Sequence, residues 1–266
     1  MREVTLERTV SSNISTWFFP LLFARYAYPP NALGLCGADT PRTLLEYGDA
    51  DASDGGLAEL ARTFDGAWPY LTLIAGANGI SDPLDPRVVE AYWVGNELLD
   101  RVRPGDLVRH VADRFHGRIG RAQEHVADVV SAGAVPHHCF HVFAVYPWLG
   151  LLRSGIVDQP LHILDQCRTT PAVVVAVADE TLDVLARRLA WADGALLLEE
   201  ASSRTVRWRE SGLAFAHDPR PGDAVALHWD FVCDTLTPRA ASALTRVTER
   251  VLDAVNHSAV VAELAG

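Results

Sequence analysis

Two residues at the ends of one stretch have side chains that can hold a transition metal: Cys167 and His228. The stretch opens DQCRTTPAVVVAV, with the cysteine four residues before Pro171 and a β-branched run behind it. It closes PRPGDAVALHWDFVCD, a Pro-Gly-Asp turn followed by alternation that reads as one strand. Over residues 224–232, Val225, Leu227, Trp229 and Phe231 fall on one face, and Ala226, His228 and Asp230 on the other. His228 is therefore expected to point away from the apolar face. A thiolate and a neutral imidazole both suit a first-row metal of intermediate softness. Arg168, next in sequence, would favour thiolate formation, and Asp230 would accept a hydrogen bond from the imidazole and orient it. On residue types alone, the plainer reading, Cys167 as barrel core and His228 as an exposed strand residue, is the favoured one.

A second run, VPHHCFHVFAVYPWLGLLRSG, offers other donors. A helix opened by Pro136 would set His137 and His141 one turn apart, a spacing at which two imidazoles can share a metal. His138 and Cys139 would then be directed elsewhere. A carboxylate partner would come from another helix, with Glu90, Glu97 and Glu124 as candidates. The same run reads as hydrogen-bonded core or as a partner contact. Cys36 lies between Gly34 and Gly37 in the loop Asn31–Thr40, either a ligand or nucleophile or a small buried apolar residue.

The order of residues in the last hundred positions resembles the HypC/HupF family of hydrogenase assembly chaperones. The pattern Cys-x-x-x-Pro-x-x-Val is met by Cys167, Pro171 and Val174. Gly-Asp-x-Val-x-x-His-x-x-Phe is met by Gly222, Asp223, Val225, His228 and Phe231, and an amphipathic helix follows from about Pro238 to Asn256. Members are small OB-like barrels that, with the partner HypD, carry iron bearing cyanide and carbonyl to a [NiFe]-hydrogenase large subunit. The resemblance implies iron as the metal, Cys167 as its ligand and His228 as the family's histidine. It implies the large-subunit precursor or a HypD-like factor as partner. The chain departs from the family in three places: its cysteine is internal and does not follow the initiator Met, Ala172 replaces a glycine, and Asp230 replaces a small residue. The whole chain also resembles an uncharacterised actinobacterial family.

With 266 residues, 49% of them hydrophobic, the chain can bury one large core or two modest ones. Its net charge of −11 argues against nucleic acid or an anionic membrane as main partner. Every basic side chain among its 23 is arginine. Met1–Ser12 is too polar for a secretory leader and the apolar run Trp17–Phe23 too short for a bilayer, so a cytoplasmic location is expected. Four scattered cysteines without a Cys-x-x-Cys suit neither a disulfide framework nor structural zinc.

The hydrophobic period changes near Gly155–Pro160, where a helix stop, a polar turn and a proline mark a boundary. Before it, helices are expected at Phe18–Tyr26 (ended by Pro29-Pro30), Leu57–Phe64, Trp68–Ala77, Pro86–Leu99, Gly105–Phe115 and Arg118–Ala132. After it come strands at Ala172–Ala178, Asp183–Leu189, Ala195–Glu200, Thr205–Trp208 and Ala224–Val232, with Asp193-Gly194 as a hairpin turn. Thr237 and Pro238 open a final helix. The expected fold is α+β: a helical domain over residues 1–155, then a small OB-like barrel with a C-terminal helix over 160–266.

Nucleotide-binding and serine-hydrolase fingerprints are absent. The leading expectation is a non-enzymatic [NiFe]-hydrogenase assembly factor that holds or passes on iron through Cys167 and His228. One alternative is an enzyme with a metal at His137 and His141 and Cys36 nearby. Another is an interaction protein that binds no metal.

Overall fold

The computed structural model describes residues 21–50, 54–114 and 122–265. The expected helix starts at Phe18 and Arg118, the end of the Gly105–Phe115 helix, and part of the acidic loop after Ala50 lie outside those residues. The first half is helical: α1 (Leu21–Ala32), α2 (Pro41–Asp49), α3 (Gly55–Ala61), α4 (Trp68–Ala77), α5 (Pro86–Trp93), α6 (Pro104–Arg114), α7 (Ala122–Ser131), α8 (His138–Phe140), α9 (Trp148–Arg153) and α10 (Asp158–Cys167). Strands follow as β1 (Thr170–Val177), β2 (Thr181–Ala192), β3 (Ala195–Arg207), β4 (Arg209–Glu210), β5 (Leu213–Ala214), β6 (Ala224–His228) and β7 (Phe231–Leu236), before α11 (Pro238–Ala265). The class is α+β, as the change of period implies. No helix among the described residues is long and apolar enough to cross a membrane.

Capping chemistry sets several of these limits. Asp85 accepts from the Arg87 N–H at the start of α5, and the Thr237 hydroxyl accepts from Ala240 N–H at the start of α11. Pro86 and Pro238 occupy first helical positions, where a missing N–H costs nothing. In α1 the expected stop fails: Pro29 and Pro30 lie inside the helix, which runs on to Ala32. Both prolines are buried, so packing holds the last turn although two backbone donors are missing. The chain between α9 and β1 is also helical, so α10 occupies residues expected to lie past the change of period, and Cys167 ends a helix instead of opening a strand.

The five long strands follow the order β1-β2-β3-β7-β6, with β6 returning to β1. At the β3–β7 seam one parallel pair, Arg207 with Phe231, makes the join. The element is therefore a mixed five-stranded sheet curled into a ring and barely closed at its seam, short of a fully bonded barrel. Two expected strands fuse into the single β3, which pairs with β2 around Asp193 and Gly194, at φ 51° and 77°. One expected strand divides. Ala224–Val232 is a hairpin, because Trp229 and Asp230 both take left-handed conformations, φ 50° and 54°, and turn the chain so that His228 pairs with Phe231.

The ring encloses an apolar core that includes Val174, Leu182, Val184, Val206, Val225, Leu227 and Val232, and the buried Arg204, opposite Val184, shares that face. On β6 and β7 its outer face is covered too, whereas Val173, Val175 and Leu185 on β1 and β2 are exposed. Ala226, Phe231 and Cys233 belong to the same buried cluster as the helices, with Leu244, Val251 and Val255 of α11. The β6 face expected to be polar is thus buried against the helical half, and His228 is 1% exposed.

Candidate metal site

His228, Cys167 and His138 arrive from three places: the end of β6, the last turn of α10 and the first residue of α8. One ligand atom from each lies within 4.8 Å of the other two. Tetrahedral ligation with bonds of about 2.0–2.3 Å would need the three to close by roughly an ångström, so the donors are nearly in place.

Each donor is oriented by its surroundings. The His228 Nδ1–H donates to the Tyr26 carbonyl at 2.8 Å. That carbonyl is available because the residue four positions on is Pro30, which has no N–H to offer it. With its proton on Nδ1, His228 keeps a lone pair on Nε2, a buried atom without a hydrogen-bond partner. A ligating histidine commonly has its second nitrogen tied in this way. Burial holds the ring neutral, its pKa lowered to about 4.

The Cys167 thiol is pushed up to about 12 by burial, opposed by the nearby Trp229 indole N–H, which falls short of a well-formed hydrogen bond to the sulfur. It is therefore protonated at neutral pH until a cation supplies the charge that a bound thiolate needs. His138 is also neutral through burial. Its Nε2 lies 2.7 Å from the Cys167 carbonyl and its Nδ1 3.2 Å from the Tyr92 hydroxyl, which donates to the Gly66 carbonyl at 2.8 Å. The Trp93 ring packs on both imidazoles, at centroid separations of 4.3 Å and 5.3 Å.

These groups line a chamber of about 50 Å³ with Leu35, Cys36, Phe64, His141 and Tyr146. That is room for a few water-sized groups and not for an organic substrate. A Cβ on Gly37 would meet the Phe64 ring at 2.4 Å, so this glycine allows the Cys36 loop to seat against the chamber wall. The Cys36 thiol is raised to about 11 by burial.

The structure thus brings together Cys167 and His228 and places Cys36 and His141 on the same chamber wall. His137 is elsewhere. The helix starts at His138, two residues later than expected, leaving His137 extended before it, where its Nδ1 accepts from the Cys139 N–H. His141 instead opens a widened π turn, His141–Val145, and faces the Tyr70 hydroxyl at 3.2 Å. The expected His137–His141 pair is therefore replaced by His138. None of Glu90, Glu97 or Glu124 belongs to the cluster.

The two supporting residues act differently from expectation. Asp230 pairs with Arg204, and the Tyr26 carbonyl takes the role expected of its carboxylate. Arg168 is buried and bound to Asp165 at 2.9 Å and to the Arg187 carbonyl at 2.6 Å. It fastens the end of α10 to β2. Sequence reasoning missed His138 because its partners are set by a helix start and by contacts across the two halves. The one local signal was its place beside Cys139 in a His-rich run.

No curated protein and no solved structure matches the chain. Nothing in these comparisons shows a relationship to the HypC/HupF family. A family model described as "Family of unknown function (DUF6390)" matches residues 20–262, and the chain belongs to that family.

Proposed function

We propose that this protein is an assembly factor that holds a metal ion as cargo at Cys167 and His228 and delivers it to a client. The observation that carries the proposal is the convergence of a half-buried thiol and a buried imidazole whose Nε2 has no partner, within 4.8 Å, beside a chamber of about 50 Å³. A site for turnover of an organic substrate would need more space. A site that holds an ion with a few two-atom ligands does not.

The client is proposed from the pattern of residues 167–256: a [NiFe]-hydrogenase large-subunit precursor, reached directly or through a HypD-like factor, with iron carrying cyanide and carbonyl as the cargo. Cys167 would supply the thiolate. His228 would supply a neutral nitrogen already fixed by Tyr26, and the apolar wall would exclude bulk water.

Anaerobic purification followed by metal analysis and infrared spectroscopy tests this. Iron with cyanide and carbonyl stretches, lost in Cys167→Ala, is the expected result. Metal retained in Cys167→Ala but lost in His141→Ala would favour an enzyme centred on His141 and Cys36, both on the chamber wall. No effect of either variant on metal content or hydrogenase maturation would leave an interaction protein.

A further inference from the structure

The geometry points to His138 as the third ligand of this site and to Tyr92 as the positioning residue that sets its tautomer, an inference that rests on the metal-handling reading above. A neutral imidazole has one N–H to place. Without a metal it belongs on Nε2, 2.7 Å from the Cys167 carbonyl, since two facing lone pairs at that distance would repel.

The other side of the ring is built for the opposite tautomer. Tyr92 gives its only proton to the Gly66 carbonyl at 2.8 Å, so its oxygen presents lone pairs to His138 Nδ1 at 3.2 Å. With the proton on Nε2, no hydrogen lies between those two atoms. With the proton on Nδ1, the chain His138 Nδ1–H to Tyr92 to Gly66 is complete, and the nitrogen beside Cys167 is bare. His228 already has that arrangement through Tyr26. The surroundings of both imidazoles thus complement rings that ligate through Nε2, one of them held in waiting by a backbone carbonyl. Ligation by His138 needs a tautomer change and a withdrawal of the Cys167 carbonyl by roughly 1.5 Å or more, since a metal about 2.0 Å from Nε2 would otherwise meet its oxygen; no net proton is lost from the ring.

Nitrogen-15 NMR of the imidazoles in the full chain, with and without zinc as a diamagnetic probe, tests this. His228 should be protonated at Nδ1 throughout, and His138 should move from Nε2–H to Nδ1–H as one zinc binds. Tyr92→Phe should weaken zinc on the order of tenfold, return part of the His138 signal to Nε2–H, and leave the His228 signal unchanged as a check on folding. If that variant does not fold, the wild-type titration decides alone. His138 keeping its Nε2–H while zinc binds and His228 responds would overturn the proposal and spare the metal-handling reading. Failure of zinc to bind, with neither imidazole responding, would remove both.

Discussion

The chain has two cores of different character. The one inside the curled sheet is apolar from Ala172 and Val174 to Val225 and Val232, with a buried cation, Arg204, paired to Asp230 at its margin. The one between the helices and the outer face of the same sheet buries His137, His138, His141 and His228 among its apolar residues, with the Arg168–Asp165 pair at its edge. Burying polar groups costs stability unless every donor and acceptor finds a partner. The interior core therefore supplies shape, while the interface core spends some of that stability on groups able to do chemistry.

Acid should separate the two most strongly. The buried histidines stay neutral when folded, His137 and His141 lowered to about 3 and His228 to about 4, while in the unfolded chain they titrate near 6.5. Below about pH 6.5 the unfolded state binds more protons, so stability falls with falling pH, levelling only near pH 3–4. Each such group contributes up to about 1.4 kcal/mol per pH unit in that window. Urea unfolding at pH 7.5 and 5 should differ by several kcal/mol, and the slope should shrink in His137→Gln. A flat profile over that range would show that the histidines are not held neutral.

Arg168→Ala strikes the edge of the interface core. It strands Asp165, whose carboxylate also accepts from the Leu189 N–H, and should cost about 3–5 kcal/mol in chemical denaturation. A loss under 1 kcal/mol would mean that the pair is not buried as described. Leu182→Ala strikes the interior core and should cost about 2–4 kcal/mol by leaving a cavity. Because none of the three donors belongs to that core, metal affinity measured on the folded variant should stay within about twofold of wild type. A larger change would join the two regions that the structure separates.

The local chemistry of the chain was readable where a residue determines its own conformation. Asp193-Gly194, Thr237-Pro238 and Asp85-Pro86 mark their elements correctly, and the pairing of Cys167 with His228 followed from their order. What could not be read depends on tertiary contacts. The alternation through residues 224–232 hid the Trp229–Asp230 turn, since Trp229, unlike Asp230, is not a usual left-handed residue and the turn is held from outside by the Trp229 N–H on the Gln166 carbonyl. The burial of both faces of β6 depends on a helical half distant in sequence, so His228 looked exposed. His138 and Tyr92 lie 46 positions apart and meet only after folding.

The proline within α1 has a consequence that reaches the far end of the chain. By leaving the Tyr26 carbonyl unclaimed, Pro30 lets the first described helix hold an imidazole 202 residues away. A substitution such as Pro30→Ala would mend the helix yet make a local N–H compete for that oxygen. Selection for a sturdier fold and selection for a well-aimed nitrogen therefore pull in opposite directions at one position, itself on the chamber wall.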